Sequence, residues 1–329
     1  MKKILLIGTG GTICSVESGE GLSPALTPEE LLAFAPEIKK FCEVECVQIL
    51  NLDSTNMRPA HWIMISDTIR ENYDKYDGFV IAHGTDTMAY TAAGVSYLIQ
   101  NSPKPIVFTG AQKPAGEPGS DAARNITDAF ICASDDGSHG VQLVFAGSVI
   151  AGTRARKNFS KSFAAFGSIN FPEIARIQDN VLVRYVVDPK PEKPIFYDYI
   201  NPNVGLVKFV PGMRNDVLRY LIEQYDGLVV ETFGVGGLPE YSDFYDQIKM
   251  AIDMGKLVVM TTQVSNEGSN LSVYKVGAYL KNHFNILEAH DMNTEAAFAK
   301  LMWVLGQTTD FKEAESLFYK TIYHDILYK

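Results

Sequence analysis

Five apolar runs in the first half of the chain end in polar, glycine-rich turns: Gly8-Thr9-Gly10-Gly11-Thr12, Asn51-Leu52-Asp53-Ser54-Thr55, His83-Gly84-Thr85-Asp86-Thr87, Thr109-Gly110-Ala111-Gln112, and the stretch from Gly147 to Lys157. These turns are rich in hydroxyls and poor in histidine. Of His61, His83, His139, His283, His290 and His324, His83 alone stands in one of them. The Gly-x-Ser-x-Gly elbow of a serine hydrolase is absent, so a Ser-His-Asp arrangement has little support. A threonine hydroxyl is a weak nucleophile and needs a base. Without histidine, a desolvated lysine amine is the usual solution. Lys157, beyond the run Val141–Ile150 and the turn Ala151-Gly152-Thr153, can supply it, and Lys113 competes for the same role. Asp86 beside such a lysine would oppose the neutral amine by stabilising its charged form.

Each turn also has a plainer reading. Gly8-Thr9-Gly10 after a strand suggests a dinucleotide fingerprint, but Ile13 stands where the third glycine belongs, and no Gly-Lys-Ser/Thr closes a phosphate loop. Thr85 or Asp86 could simply cap the helix that follows, since capping residues are common at such positions. In a functional reading, the same helix start supplies backbone N–H groups for a developing oxyanion.

The elements that must hold these turns alternate along the chain. Strands are expected at Lys3–Ile7, Val44–Leu50, Phe79–Ala82, Pro105–Phe108 and Val141–Ala146, with helices at Thr27–Phe34, Ala60–Tyr73, Met88–Gln100 and Asp121–Ala133. That alternation predicts parallel βαβ units covered by helices on both faces. Three prolines in Asp188–Pro194 interrupt it. The alternation then resumes through Val204–Phe209, Val217–Gln224, Leu228–Glu231, Phe244–Met254 and Leu257–Thr261, and closes on helices at Glu295–Leu305 and Phe311–Tyr319. The expected organisation is a larger N-terminal catalytic domain over 1–188, a linker over 189–203 and a smaller C-terminal domain over 204–329. At 329 residues, two cores are the first expectation.

Net charge is −10, and the densest basic cluster is Arg154, Arg156, Lys157 and Lys161, which argues against a nucleic-acid or anionic-membrane surface. The apolar run Ile4–Ile7 is too short for a signal peptide, and no run approaches membrane-spanning length. Cys14, Cys42, Cys46 and Cys132 lack paired metal-ligand spacing and read as reduced thiols of a cytoplasmic protein.

Gly10-Gly11-Thr12-Ile13 and His83-Gly84-Thr85-Asp86-Thr87-Met88-Ala89-Tyr90-Thr91 resemble, in sequence and separation, the two signature motifs of the asparaginase/glutaminase family. The likeness continues through Leu52–Met57, Tyr76–Val80, Thr109–Gln112, Arg154–Lys157, Phe233–Gly236 and Lys300–Trp303, and so covers essentially the whole chain. Tyr90-Thr91 and the missing signal peptide look like the bacterial, cytoplasmic type I branch. The resemblance implies two parallel-sheet α/β domains, the larger flavodoxin-like and the smaller three-layered. It implies hydrolysis of L-asparagine, with some activity on L-glutamine, by a homodimer or homotetramer without metal or organic cofactor. Thr12 would attack the side-chain amide and form an acyl-enzyme, with Thr85, Asp86 and Lys157 as the supporting triad. Ser54 and Thr55 would hold the substrate carboxylate and Asp86 its ammonium, while Gly11, Gly84 and Ala111 contribute backbone groups.

The chain departs from the family pattern in three places. The loop Cys14–Leu26, expected to act as a lid hinged at Gly19 and Gly21, has no tyrosine; Leu22 stands about where relatives carry one, leaving Tyr90, Tyr274, another residue or no partner for Thr12. Gly237 replaces an Asn that completes a neighbour's pocket in relatives. Thr262-Gln263-Val264 replaces a Thr-Gln-Cys element, so the effector site of those enzymes is not carried over. Two other functions stay open: the amidase subunit of a tRNA-dependent amidotransferase, which normally carries a β-domain ahead of the first strand, and a non-catalytic amino-acid sensor on the same fold.

Overall fold

In a computed structural model, residues 1–18, 21–24, 26–273 and 275–328 are described. The chain forms two compact units, Met1–Asp198 and Tyr199–Lys329. Among the described residues, no helix is long and apolar enough to cross a membrane.

The first unit begins with β1 (Lys2–Gly10), the hairpin strands β2 (Ser15–Ser18) and β3 (Gly21–Pro24), α1 (Pro28–Leu32), β4 (Cys42–Leu52) and α2 (Pro59–Asn72). It continues through β5 (Gly78–Ala82), α3 (Met88–Leu98), β6 (Ile99–Gln100), β7 (Pro105–Thr109), α4 (Ala122–Ser134) and β8 (Gly140–Phe145). The last elements are β9 (Ser148–Ala151), β10 (Ala155–Lys157), β11 (Phe166–Ser168), β12 (Ala175–Gln178), β13 (Val181–Arg184) and β14 (Ile195–Phe196).

Eight strands form one sheet in the order β13-β12-β9-β8-β7-β5-β1-β4. The segment β4-β1-β5-β7-β8 is parallel. In chain order those strands read second, first, third, fourth, fifth, the flavodoxin-like arrangement, whose switch point lies between β1 and β5. Ile4, Leu5, Leu6 and Ile7 are at most 3% exposed, as a strand covered on both faces requires. Burying each such side chain contributes about 1.5–3 kcal/mol.

Two expectations are corrected here. The strand expected over Val141–Ala146 stops at Phe145, and the apolar run to Ile150 folds back as β9, antiparallel to β8, with Gln142 opposite Ala151. The reversal occurs at Ala146 (φ 50°) and Gly147 (φ 81°), the pair of positive φ values that a tight hairpin turn needs. The helix expected over Met88–Gln100 stops at Leu98, and Ile99–Gln100 pairs instead with β14. That pairing, beyond the proline-rich stretch, ties the chain to the first unit as far as Asp198.

The second unit contains β15 (Val204–Lys208), α5 (Asn215–Gln224), β16 (Gly227–Thr232), α6 (Phe244–Asp253), β17 (Leu257–Thr262), α7 (Lys275–His283), β18 (Leu287–Glu288), α8 (Thr294–Gln307) and α9 (Phe311–Tyr319). Its four strands are parallel in the order β15-β16-β17-β18. Leu228, Val230, Val258 and Met260 face Leu218, Ile222, Phe244 and Ile248 of α5 and α6 in one core. On the other face α8 packs against β15, β16 and β17, completing three layers. The helix α7 and the strand β18 were not anticipated from the sequence.

Candidate active site

At the switch point, β1 runs into Gly10 and Gly11, both at positive φ, and Thr12 opens a 3₁₀ turn, Thr12–Cys14. Gly11 has φ 82° and ψ 178°, a conformation essentially reserved for glycine. A Cβ there would lie 2.3 Å from both Cα and N of Gly84, so the two glycine–threonine motifs meet backbone against backbone. A Cβ on Gly84 would in turn lie 2.6 Å from Ser54 Oγ. The ends of β1, β4 and β5 therefore converge on Gly11, Ser54 and Gly84, with Thr12 and Thr85 next in chain on either side of the contact.

Ser54 opens a 3₁₀ turn whose N-cap, Asp53, accepts a hydrogen bond from Thr55 N–H at 2.9 Å. Ser54 is buried; its Oγ accepts from Asp86 N–H at 3.3 Å, and its carbonyl accepts from Thr87 Oγ1 at 2.8 Å. Thr55 is exposed.

Asp86 is not a cap. The N-cap of α3 is Thr87, without a side-chain capping bond, and the Asp86 side chain turns to Lys157. Lys157 Nζ donates to Asp86 Oδ1 at 2.7 Å and to Thr85 Oγ1 at 2.8 Å. The Thr85 residue is 4% exposed, whereas the Asp86 side chain is 57% exposed. Lys157 arrives by a route the sequence does not show. It ends β10, outside the main sheet, which pairs with β11 and packs along α3. Gly152 lets this strand pass close beneath α3, since a Cβ there would meet Ser96 Oγ at 2.8 Å. The competing Lys113 is engaged elsewhere, its Nζ over the Phe163 ring at 5.9 Å.

Ala111 is fully buried in the turn after β7. Three residues not singled out individually from the sequence hold that turn. Asp121 accepts from the N–H groups of Gln112 and Lys113 and from Asn125 Nδ2. Asn125 bridges the Gly110 carbonyl and Ala146 N–H, joining the turns after β7 and β8. Gln112 Oε1 accepts from Thr85 Oγ1 at 3.3 Å. The only local signal was a polar pair one helical turn apart at the start of α4.

His83 lies beneath the site, fully buried, with Nδ1 2.7 Å from the Gly84 carbonyl. Burial pushes its pKa down to about 4, so it is neutral at ordinary pH. Its bond to Gly84 identifies Nδ1 as the protonated nitrogen. Cys14, Cys42, Cys46 and Cys132 are free thiols. Burial pushes the Cys14, Cys46 and Cys132 thiols up to about 12 and Cys42 to about 11, the character of unreactive thiols, with Cys14, Cys42 and Cys132 in the core and Cys46 half-buried. Among the described residues, no group of three or more His, Cys, Asp or Glu side chains could hold a metal ion. The lid hinge expected at Gly19 and the alternative tyrosine at Tyr274 lie outside the described residues. Tyr90 is half-buried in the first turn of α3.

A flavodoxin-like domain with two glycine–threonine turns at its switch point and a Thr-Asp-Lys cluster beside them defines a narrow class. Residues 3–188 match the family profile described as Asparaginase, N-terminal, and residues 203–318 match Glutaminase/Asparaginase C-terminal domain. The chain is 38% identical to the L-asparaginase of Thermococcus kodakarensis, covering 98% of this chain and 99% of that one. The solved structure of the thermostable enzyme from that organism superposes with a TM-score of 0.94, at 36% identity over 99% and 100% of the two chains. L-asparaginase I from Vibrio cholerae gives a TM-score of 0.88 at 32% identity, with 99% of each chain covered. The chain is also 38% identical to a glutamyl-tRNA(Gln) amidotransferase subunit from Pyrococcus furiosus, over 95% of this chain and 74% of that protein. The chain belongs to the asparaginase/glutaminase family.

Proposed function

We propose that the protein hydrolyses L-asparagine to L-aspartate and ammonia, with Thr12 as nucleophile and Thr85, Asp86 and Lys157 as the supporting groups. One observation supports this reading: Lys157 Nζ lies within 2.8 Å of Thr85 Oγ1 and 2.7 Å of Asp86 Oδ1, and Gly84, next in chain to Thr85, meets Gly11, next in chain to Thr12. Thr12 Oγ1 bonds to the carboxamide carbon, and its proton passes through the Thr85–Lys157 pair to the departing nitrogen. The C–N bond breaks, ammonia leaves, and an ester remains. Water then adds to that ester, gives a proton to the same pair, and releases aspartate and the Thr12 hydroxyl. In this reading backbone groups of the turns at Gly84 and Ala111 surround the developing oxyanion, while the Gly11 N–H is already held by the Leu52 carbonyl at 2.8 Å. Ser54 and Thr55 hold the α-carboxylate. Asp86, which uses Oδ1 for Lys157, takes the α-ammonium with its other oxygen.

L-Glutamine differs by one methylene, which a pocket resolves by about 1–3 kcal/mol, so some glutamine turnover belongs to the same reading. The protein acts in the cytoplasm as a homodimer or homotetramer; light scattering at the mass of one chain would remove the oligomer from it. The test is ammonia release from asparagine and glutamine by wild type, Thr12→Ala and Lys157→Met. Expected is asparagine turnover by wild type and losses of about 10³-fold or more in both variants. Wild-type-like turnover by Thr12→Ala would sink the nucleophile assignment.

A second reading has its own support, the 38% identity to a component of a tRNA-dependent amidotransferase. There the same amide cleavage would deliver ammonia to a bound acceptor. Asparagine hydrolysis by the isolated chain, unaffected by added tRNA, separates the two.

A further inference from the structure

Gln112 joins three parts of the site. Its Oε1 accepts from Thr85 Oγ1 at 3.3 Å, and its Nε2 donates to the Ser162 carbonyl at 3.1 Å. Its backbone N–H is held by the Asp121 carboxylate at 3.0 and 3.1 Å. The loop carrying Ser162 starts directly after Lys157. Asn158 and Phe159 N–H both donate to the Ala165 carbonyl, at 2.7 and 3.2 Å, and Ala165 N–H donates to Phe163, at 2.9 Å, closing 158–165 into a tight tip. The contacts therefore form a ring: Lys157 to Thr85, Thr85 to Gln112, Gln112 to Ser162, and back along the chain to Lys157.

The ring has a direction. A carbonyl oxygen can only accept, so Ser162 obliges Gln112 to present its amide nitrogen there and its amide oxygen to Thr85. The single Thr85 proton then points at Gln112, and Thr85 offers a lone pair to Lys157, which donates from 2.8 Å.

We propose that Gln112 is a positioning residue that sets the direction of the Thr85 hydroxyl and latches the 158–165 loop to the site. The proposal rests on the reading of Thr85 and Lys157 given above. In the latched ring the hydrogen bond runs from Lys157 to Thr85. For Thr85 to pass its proton to a neutral Lys157, the hydroxyl turns about Cβ–Oγ1 and leaves Gln112. That bond, at 3.3 Å, is the longer of the two Thr85 makes in the ring. Gln112 thus returns the hydroxyl to one orientation after each turnover, and its other end keeps Lys157 at the base of an ordered loop.

Two variants separate the ends of the amide. Gln112→Met removes both bonds at similar side-chain length. Gln112→Glu keeps an acceptor for Thr85, loses the donor to Ser162 and brings a negative charge near Lys157. Asparagine kinetics from about pH 5 to 10 are measured alongside backbone hydrogen exchange of residues 158–165. Expected for Gln112→Met is a kcat lower by about 10-fold with KM changed by less than about 3-fold. Expected for Gln112→Glu is an ascending limb of kcat/KM moved to higher pH, and above that limb a kcat exceeding that of Gln112→Met. Both variants should exchange the Asn158 and Ala165 amides about 10-fold faster than wild type. Unchanged exchange in both variants overturns the latch. Faster exchange with wild-type kcat in Gln112→Met overturns the hydroxyl assignment, and a limb that stays in place in Gln112→Glu overturns the charge argument. A wild type that releases no ammonia overturns the hydrolase reading instead, and exchange alone then decides the latch. If Gln112→Met fails to fold, Gln112→Glu carries both readouts.

Discussion

Replacing Gly11 by alanine tests whether the contact between the two motifs sets the reaction geometry. The added Cβ would lie 2.3 Å from Gly84 Cα and N, whereas ordinary contact begins near 3.4 Å, so the two turns must separate by about 1 Å. Both obstructing atoms are backbone, and no side chain can swing aside. Strain from the φ and ψ of Gly11 adds about 1–3 kcal/mol, and relieving the overlap another 1–3 kcal/mol or so. A displacement of about 1 Å between reacting groups costs about 10²-fold in rate. Gly11→Ala is therefore expected to lose about 2–6 kcal/mol of stability and about 10²-fold in kcat for ammonia release. Gly212→Ala is the control: its φ is 79°, but nothing lies within 4 Å of the added carbon. It should lose about 1 kcal/mol and no activity. Both are measured by denaturant unfolding and by steady-state kinetics at a temperature where each stays folded. Gly11→Ala with kcat within about 3-fold of wild type would refute the reasoning, because 1 Å of separation could then not matter to the chemistry.

The remaining predictions concern the proposed catalytic groups, the proposed latch and two buried titrating groups. Thr12→Ala and Lys157→Met each lose about 10³-fold in asparagine turnover. Gln112→Met loses about 10-fold in kcat and frees the 158–165 loop, read by hydrogen exchange. Asp128 is 4% exposed, with Oδ2 lacking a hydrogen bond and Arg124 Nε 3.6 Å away, and burial raises its carboxyl to about 6. Its folded pKa is above the unfolded value, so its contribution is present at low pH and lost as pH rises from about 4 to about 6. Asp128→Asn should be about 1–3 kcal/mol more stable than wild type at pH 8 and nearly equal at about pH 4, by urea unfolding. His83 works in the opposite sense. With a folded pKa of about 4 against about 6.5 unfolded, it lowers stability as pH falls through that window, by roughly 3 kcal/mol. His83→Gln should flatten this acid-side decline, and an undiminished slope would show that another group causes it.

Much of the site was legible because its chemistry is written in residue types at strand ends. Five polar turns after apolar runs, hydroxyls in place of histidines, and a lysine at the end of the fifth were visible before any coordinates. Strand ends carry such signals because the apolar run stops where the sheet stops. Asp86 was less legible, because a carboxylate before a helix looks the same whether it caps the helix or pairs with a distant cation. Only the placement of Lys157, 71 residues further along, decides between them.

What the sequence determined by itself was the alternation of elements, the residue types at the strand ends and the family motifs that contain them, since these follow from local pattern. The tertiary structure decided three other things. It turned Val141–Ile150 into a hairpin, which polarity could not mark because both strands are buried and Ala146 sits at a φ that alanine disfavours. It then sent the chain back along α3, so that Lys157 reaches Thr85 from outside the sheet. It closed the ring of Lys157, Thr85, Gln112 and Ser162, with Asp121 holding the Gln112 N–H, from residues that lie far apart in sequence. Local propensity extends over a few residues, whereas each of these contacts depends on chain segments brought together by the sheet.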